Sequence, residues 1–245
     1  MESSNPTLSN KVFSEAKVVG GSGDVMTIQG TVNKTLILFA ILLATAIWTW
    51  SNAGNPIVAM VGMGGLIVGL ILVVISMFKP AWSPVLAPLY AACEGLVLGF
   101  ISAMFEARYP GIVIQSVGLT FAVLFAMLMG YKAGYLQATP GFKKGMMIAM
   151  IGLMAFYAVV WIASMFGVAP PTFINGGGWM GIVFSMFVVG LASMCLVLDF
   201  DRIETAANER VAKYMEWYCA FSLMITLIWL YLEILRLLSK VQSRD

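Results

Sequence analysis

The chain has 245 residues, of which 60% are hydrophobic and only 11% are charged, and its mean hydropathy is +0.92. Soluble domains carry about a quarter charged residues, so this composition indicates an integral membrane protein. The formal net charge of +2, with no dense basic run, argues against nucleic acid as a partner.

The sequence contains no histidine, which excludes histidine-ligated metal sites and the histidine-based Ser or Cys triads of many hydrolases. Its three cysteines, Cys93, Cys195 and Cys219, lie in apolar segments without CxxC spacing. We interpret them as small core residues rather than redox or metal-binding groups. Because no nucleophile has a base beside it, we expect neither enzymatic activity nor a cofactor.

In chain order, residues 1–34 are polar and lack the short apolar core of a cleaved signal peptide, so they are predicted to form a cytoplasmic N-terminal segment. Residues 35–238 are predicted to form an all-α domain of seven transmembrane helices, and residues 239–245 a short basic tail. The predicted helices are Thr35–Trp50, Pro56–Phe78, Pro84–Phe105, Ile112–Tyr131, Met146–Phe166, Trp179–Leu198 and Trp217–Leu238. Most of the connections between them contain the Gly, Pro or Asn residues that are typical of turns.

The distribution of basic residues predicts a cytoplasmic N-terminus, since cytoplasmic loops carry an excess of Lys and Arg. With that orientation the inner side holds Lys11, Lys17, Lys34, Lys79, Lys132, Lys143, Lys144, Arg202, Arg210 and Lys213. The outer side holds Arg108, Arg236, Lys240 and Arg244. An odd number of helices therefore puts the basic tail outside, unless the last helix does not fully cross.

The third predicted helix carries an acid near its centre, Glu94 in "LYAACEGLVLGF". An ionised carboxylate at that depth costs several kcal/mol, and such acids usually mark an ion or proton path or pair with a partner. A structural hydrogen bond is the alternative. Glycines at the GxxxG spacing, Gly65 with Gly69 and Gly95 with Gly99, indicate close helix packing around this acid.

Two aspartates, Asp199 and Asp201, end the apolar run of the sixth helix in "CLVLDFDRIE". At the cytoplasmic boundary they would either form an ordinary solvated helix end beside Arg202 or belong to an ion path. Asp199 is the deeper of the two, because it directly follows "LVL".

The seventh helix carries a polar stripe formed by Ser222, Thr226 and Glu233, which recur at spacings of four and seven residues. Such a stripe predicts that the helix turns this face away from lipid and is buried among the others. Arg236 follows Glu233 by three positions and can pair with it locally. Glu233 is therefore either half of an interfacial ion pair or a further path residue.

These residues resemble the Bax inhibitor-1 family, also called the transmembrane Bax inhibitor motif or YccA-like family, in a bacterial branch. The resemblance covers the seven-helix plan and is most specific in "SSNPTLS", "SPVLAPLYAACEGLVLGFIS", "LVLDFDRIE" and "WYCAFSLMITLIWLYLEILRLL". Glu94–Gly95 matches the family's acid followed by Gly, and Asp199 matches its aspartate after helix six. In helix seven, "LRLL" aligns Thr226 with the family's aspartate, while Glu233 offers a carboxylate about two turns later.

The resemblance implies six helices around a central seventh, and two carboxylates that form a pH-sensitive latch on a calcium leak path. A helix rises about 1.5 Å per residue, so Asp199 and Glu233 are not expected to meet. We therefore expect acids spread along a path, with Glu94, Asp199, Glu233, Thr226 and Asp201 as path or gate residues. Ser222 and Arg236 would support them. Oxygen ligands such as Asp199 and Glu94 suit calcium or protons, with calcium as the transported ion.

Two functions stay open from the sequence. One is a pH-sensitive calcium or cation leak channel in the cell (inner) membrane. The other is a non-conducting regulatory or stress protein that binds a membrane protease or another partner through residues 1–34. Both require the lipid bilayer as the surrounding medium.

Overall fold

The structure is a computed structural model, and it describes residues 25–169, 171, 174, 176 and 178–243. Within this part of the chain it contains seven helices long and apolar enough to cross a membrane. They are α1 (Ile28–Ser51), α2 (Pro56–Phe78), α3 (Ser83–Arg108), α4 (Ile112–Lys132), α5 (Pro140–Met165), α6 (Trp179–Asn208) and α7 (Met215–Gln242). The predicted all-α polytopic membrane fold is confirmed.

Most of these helices extend beyond their predicted ends, and α5 begins at Pro140 rather than Met146. Helix α1 begins at Ile28, inside the segment predicted to be polar, because Thr27 caps it by accepting a hydrogen bond from the N–H of Gly30. Helices α6 and α7 continue to Asn208 and Gln242. A hydropathy scan stops where polar residues begin, but polar residues outside the hydrocarbon are compatible with helix. Residues 1–24 of the predicted N-terminal segment lie outside the described residues.

Local sequence signals fix several helix starts. Asn55 caps α2 ahead of Pro56, and Thr139 caps α5 ahead of Pro140. Proline suits the first helical position because its missing N–H would have no partner there. These caps set the residue at which each helix begins.

The described chain divides into two compact units. The N-terminal unit comprises residues 25–108 and 201–225, and the C-terminal unit comprises residues 109–200 and 226–243. Helices α6 and α7 each contribute residues to both units.

In the N-terminal unit, helix α3 packs closely against α1 through the glycines that the sequence singled out. A Cβ atom on Gly95 would collide with the carbonyl of Leu42 and the hydroxyl of Thr45. A Cβ atom on Gly99 would likewise collide with the backbone of Ala46. The predicted close packing at this GxxxG pair is therefore confirmed.

In the C-terminal unit, aromatic rings join α6 to its neighbours. The rings of Tyr131 in α4 and Phe200 in α6 lie 6.0 Å apart, and those of Phe156 in α5 and Phe184 in α6 lie 5.8 Å apart. Such ring pairs add stability beyond the apolar area they bury.

Burial differs between the helices in the way expected of a membrane protein. The most apolar window of α7 has the largest buried share, 56%, whereas that of α5 is only 11% buried. Large apolar side chains such as Ile148 and Trp161 of α5 are exposed and suited to contact lipid. The predicted burial of the seventh helix is confirmed, and the ring of six helices around it stays a prediction.

The close approach of α1 and α3 predicts a cost for any side chain at Gly95. Gly95→Ala should lower the free energy of unfolding by about 1–3 kcal/mol, because the added methyl group must displace the α1 backbone. Thermal unfolding in detergent, followed by circular dichroism, measures the change.

Gly64→Ala in α2 is the matched control, since a Cβ atom there meets nothing within 4 Å. Its expected effect is a small gain in stability, because alanine favours a helix over glycine by about 1 kcal/mol. Equal unfolding temperatures for the two variants would contradict the packing described here.

Candidate functional site

Asp199 of α6 and Thr226 of α7 form a buried pair in the C-terminal unit. The hydroxyl of Thr226 donates a hydrogen bond of 2.6 Å to Oδ2 of Asp199. Their exposed fractions are only 2% and 4%. A carboxylate buried in an apolar environment is costly unless it is hydrogen-bonded, and this hydroxyl supplies one such bond.

The position of Asp199 corrects the sequence prediction. The sequence placed Asp199 and Asp201 just past the predicted end of helix six at Leu198. Because α6 continues as a helix to Asn208, Asp199 lies inside it, against Thr226. The residue that faces Asp199 is thus Thr226, the position that the resemblance assigns to the family's second aspartate.

The polar stripe of α7 is buried as predicted. Ser222, Thr226 and Glu233 are all buried despite lying in a membrane-spanning helix. Glu233 lies about 10 Å further along α7 than Thr226, which agrees with the expectation that it does not pair with Asp199.

Glu233 instead forms the local ion pair expected from the sequence. Nη1 of Arg236 lies 2.8 Å from Oε1 of Glu233. The Arg236 side chain is 43% exposed, whereas that of Glu233 is only 6% exposed. Exposure of the arginine is consistent with the interfacial alternative, in which the guanidinium reaches toward the membrane surface.

A buried lysine further along the same face was missed from the sequence. Lys240 is buried, and its ammonium donates to the hydroxyl of Ser185 at 2.8 Å and to the carbonyl of Gly181 at 3.2 Å. The sequence predicted that it lies in a basic tail of residues 239–245. Its spacing of seven residues from Glu233 is the signal that could have placed it on the buried stripe.

Glu94 belongs to the N-terminal unit and is half-buried in α3. Its carboxylate interacts with the hydroxyl of Tyr90, one turn earlier. The Tyr90 ring in turn packs edge-on against Phe221 of α7, with centroids 4.8 Å apart. Gly69 of α2 leaves room for the Glu94 carboxylate, because a Cβ atom there would lie 3.2 Å from Oε1.

Asp201 also belongs to the N-terminal unit and is partly exposed. Arg202 beside it is partly exposed as well and interacts electrostatically with Asp201 and Glu209. The partial exposure of Asp201 beside Arg202 fits the solvated boundary that the sequence left open for it, but Asp201 is not at a helix end, because α6 continues to Asn208.

Glu216 is a buried carboxylate of the N-terminal unit, and the sequence predicted it to lie in the connection before helix seven. Its Oε1 accepts hydrogen bonds from the backbone N–H of Thr27 at 3.0 Å and from the Thr27 hydroxyl at 2.9 Å. Its Oε2 lies 2.6 Å from the ammonium of Lys34, which also sits 5.6 Å from the Trp217 ring centroid. The carboxylate packs directly over Gly30, where no Cβ atom would fit.

Glu216 therefore ties the start of α1 to the start of α7. The tie is reinforced by the backbone bond from the N–H of Met26 to the carbonyl of Val211 at 2.8 Å. Both helix N-termini carry a partial positive charge, which favours a carboxylate at this point.

The described residues contain no group of three or more acidic or cysteine side chains that could together hold a metal ion. Asp199 lies in the C-terminal unit and Glu94 in the N-terminal unit. Each carboxylate instead has a hydroxyl neighbour, from Thr226 and Tyr90 respectively. Carboxylate and hydroxyl oxygens are hard ligands that suit protons, Ca²⁺ or similar cations.

Seven apolar helices with buried, hydrogen-bonded carboxylates define the chain as a polytopic α-helical membrane protein. The family model described as "Bax inhibitor 1 like" matches residues 5–243. The chain therefore belongs to the Bax inhibitor-1 family, as its motifs predicted, and its assignment to a bacterial branch stays a prediction. No curated protein and no solved structure matches the chain.

The contacts of Glu216 predict that neutralising it destabilises the protein. Glu216→Gln should lower the free energy of unfolding by about 3 kcal/mol, because it leaves Lys34 without the carboxylate that its ammonium contacts. Denaturant or thermal unfolding of the purified protein in detergent measures the loss.

Glu204→Gln on α6 is the control, since Glu204 is exposed and the substitution makes the same chemical change. It should leave the unfolding temperature nearly unchanged. If both variants unfolded like the parent, the Glu216 contacts would not stabilise the start of α1.

Proposed function

We propose that the protein is a pH-sensitive channel that lets calcium or a similar cation leak across the cell (inner) membrane. The observation that carries the proposal is the Asp199–Thr226 pair, a carboxylate buried within membrane-spanning helices. Ionisable groups are retained in such positions at a high energetic cost, and they usually mark ion or proton paths. Membership of the Bax inhibitor-1 family supports the same activity.

The proposed path uses oxygen ligands from separate helices. Asp199 and Thr226 offer a carboxylate and a hydroxyl to a partly dehydrated cation, and Glu94 with Tyr90 offers the same combination in the other unit. Transport of this kind needs neither covalent chemistry nor a cofactor. The proposed orientation has a cytoplasmic N-terminus, supported by Lys34, Lys79 and Lys213 on the side that the basic residues mark as internal.

The proposed pH sensitivity rests on Asp199. The hydroxyl of Thr226 and the thiol of Cys195, one turn earlier on α6, are among its neighbours in the C-terminal unit. A proton and a cation would compete for the same carboxylate oxygens. Cation flux should therefore be lower in acid than in mildly alkaline solution.

Calcium flux into liposomes that contain the purified protein tests the proposal directly. We expect flux well above that of empty liposomes, and Asp199→Asn should change it about tenfold, because the variant removes the charge that attracts the cation. Glu94→Gln should change flux as well if the second carboxylate lies on the path. A calcium-sensitive dye inside the liposomes gives the rate.

Glu204→Gln on the exposed face of α6 is the control for Asp199→Asn and should conduct like the parent. Insertion and helix content are checked on the same liposomes by circular dichroism. A correctly inserted protein without flux would favour the non-conducting regulatory protein, and unchanged flux in Asp199→Asn would remove Asp199 from the path.

Replacing Thr226 by aspartate should strengthen the pH dependence. The Thr226→Asp variant would place two carboxylates face to face, and such a pair shares a proton in acid and separates or recruits a cation when both ionise. The ratio of calcium flux at about pH 8 to that at about pH 6 should therefore exceed the ratio of the parent.

Thr226→Val has nearly the same shape as threonine and lacks the hydroxyl, so it serves as the comparison. It should alter the flux without steepening its pH dependence. If Thr226→Asp and Thr226→Val showed the same pH profile, position 226 would not form part of the pH response.

A further inference from the structure

The end of α7 buries a positive charge that is paired with no carboxylate in the part of the chain that the structure describes. Lys240 is only 4% exposed. Its ammonium donates to two neutral oxygens, the Ser185 hydroxyl at 2.8 Å and the Gly181 carbonyl at 3.2 Å, and forms no ion pair with a described acid. Because a buried ammonium without a counter-charge is costly, this one is suited to binding an anion.

The acid with which Lys240 interacts is already paired. Glu233 interacts electrostatically with Lys240, but its Oε1 lies 2.8 Å from Nη1 of Arg236. One carboxylate and two basic groups leave these three residues with an excess of one positive charge. The other acid in residues 109–200 and 226–243 is Asp199, which contacts Thr226, about 21 Å along α7 from Lys240.

The two basic groups of this cluster also repel each other. Arg236 and Lys240 are four residues apart on α7, and like charges at this spacing destabilise a helix. A guanidinium has five N–H donors, so Arg236 can bind a second anion while it contacts Glu233. Its side chain is 43% exposed, which gives that anion a way in.

A third donor beside the ion pair lacks an acceptor. The hydroxyl of Tyr157 in α5 is buried and has no hydrogen-bond partner among the described residues. It interacts electrostatically with Glu233 and Arg236. The guanidinium cannot accept the phenolic proton, because arginine only donates. A buried O–H without an acceptor is unfavourable, and a bound anion would supply the acceptor.

The position of the cluster indicates the kind of anion. Lys240 lies in the last turn of α7 and Gly181 in the first turn of α6, at the ends of two membrane-spanning helices. Trp161, one turn after Tyr157, and Trp179 at the start of α6 are 62% and 67% exposed. Tryptophan is enriched at the level of lipid headgroups, where phosphate groups are the abundant anions.

We infer that Tyr157, Arg236 and Lys240 form a binding site for a phosphate group at the membrane surface. The planar guanidinium of Arg236 matches phosphate oxygens and would bind from the exposed side. The ammonium of Lys240 and the hydroxyl of Tyr157 would donate to the remaining oxygens. The phosphate belongs either to an anionic phospholipid or to a soluble ion. This inference depends on neither Asp199 nor the proposed channel activity.

Binding to the full chain in detergent tests the inference with two probes. Native mass spectrometry measures retention of phosphatidylglycerol against phosphatidylcholine, and isothermal titration calorimetry measures the affinity for inorganic phosphate. Preferential retention of phosphatidylglycerol assigns the site to lipid, whereas binding of inorganic phosphate alone assigns it to a soluble ion. In either case Tyr157→Phe and Lys240→Gln should each weaken binding about tenfold, because each removes a hydrogen bond to a charged group.

The matched control for Tyr157→Phe is Tyr218→Phe, which removes the other buried tyrosine hydroxyl that has no hydrogen-bond partner among the described residues. The control for Lys240→Gln is Lys213→Gln, at an exposed lysine. Both controls should bind the probe like the parent. If Lys240→Gln is poorly folded, Tyr157→Phe alone decides, since loss of an unpaired hydroxyl should not lower the unfolding temperature without phosphate.

Three results would overturn the inference. Failure of the folded parent to bind either probe would exclude a phosphate site. Equal losses in Tyr157→Phe and Tyr218→Phe would show only a general effect of removing a buried hydroxyl. Unchanged binding in both Tyr157→Phe and Lys240→Gln would assign the phosphate to another part of the protein.

Discussion

The structure depends on one constraint, which is that a charge inside a membrane-spanning helix must find its partner within the protein. Asp199, Glu216, Glu233 and Lys240 are all buried, and each has a hydrogen bond or an ion pair to another part of the chain. These contacts decide which faces of α6 and α7 turn inward. The apolar faces of α2 and α5, with few polar side chains to satisfy, are left for lipid.

The contacts of Glu216 and Asp199 differ in charge, because Glu216 contacts an ammonium group and Asp199 contacts a hydroxyl. Glu216 is met by the ammonium of Lys34 and by two donors of Thr27, so its charge is balanced and its position fixed. Thr226 gives Asp199 a neutral hydroxyl, and that bond stabilises the carboxylate. A fixed, balanced carboxylate such as that of Glu216 suits a structural tie.

Composition and apolar run length were sufficient to predict the seven helices, because a membrane span is set by its length and hydropathy. The spacing of Ser222, Thr226 and Glu233 also predicted the buried face of α7. The resemblance put Asp199 and Thr226 at the positions of the family's paired acids, but the hydropathy scan alone could not predict their contact, because it does not show how far α6 continues as a helix among polar residues. The contacts of Glu216 could not be predicted either, because its partners lie far away in sequence; Thr27 is 189 residues before it.

The polar and charged side chains on the buried face of α7 lie one after another along the helix axis. Thr226 lies against the carboxylate of Asp199, and the next residues on that face are the Glu233–Arg236 ion pair and then the ammonium of Lys240, about 21 Å beyond Thr226. A cation close to this face would be attracted at one end, whereas the Lys240 ammonium would repel it at the other. An apolar environment strengthens both effects, so the order of charges along α7 would favour cation binding near Asp199 over binding near Lys240.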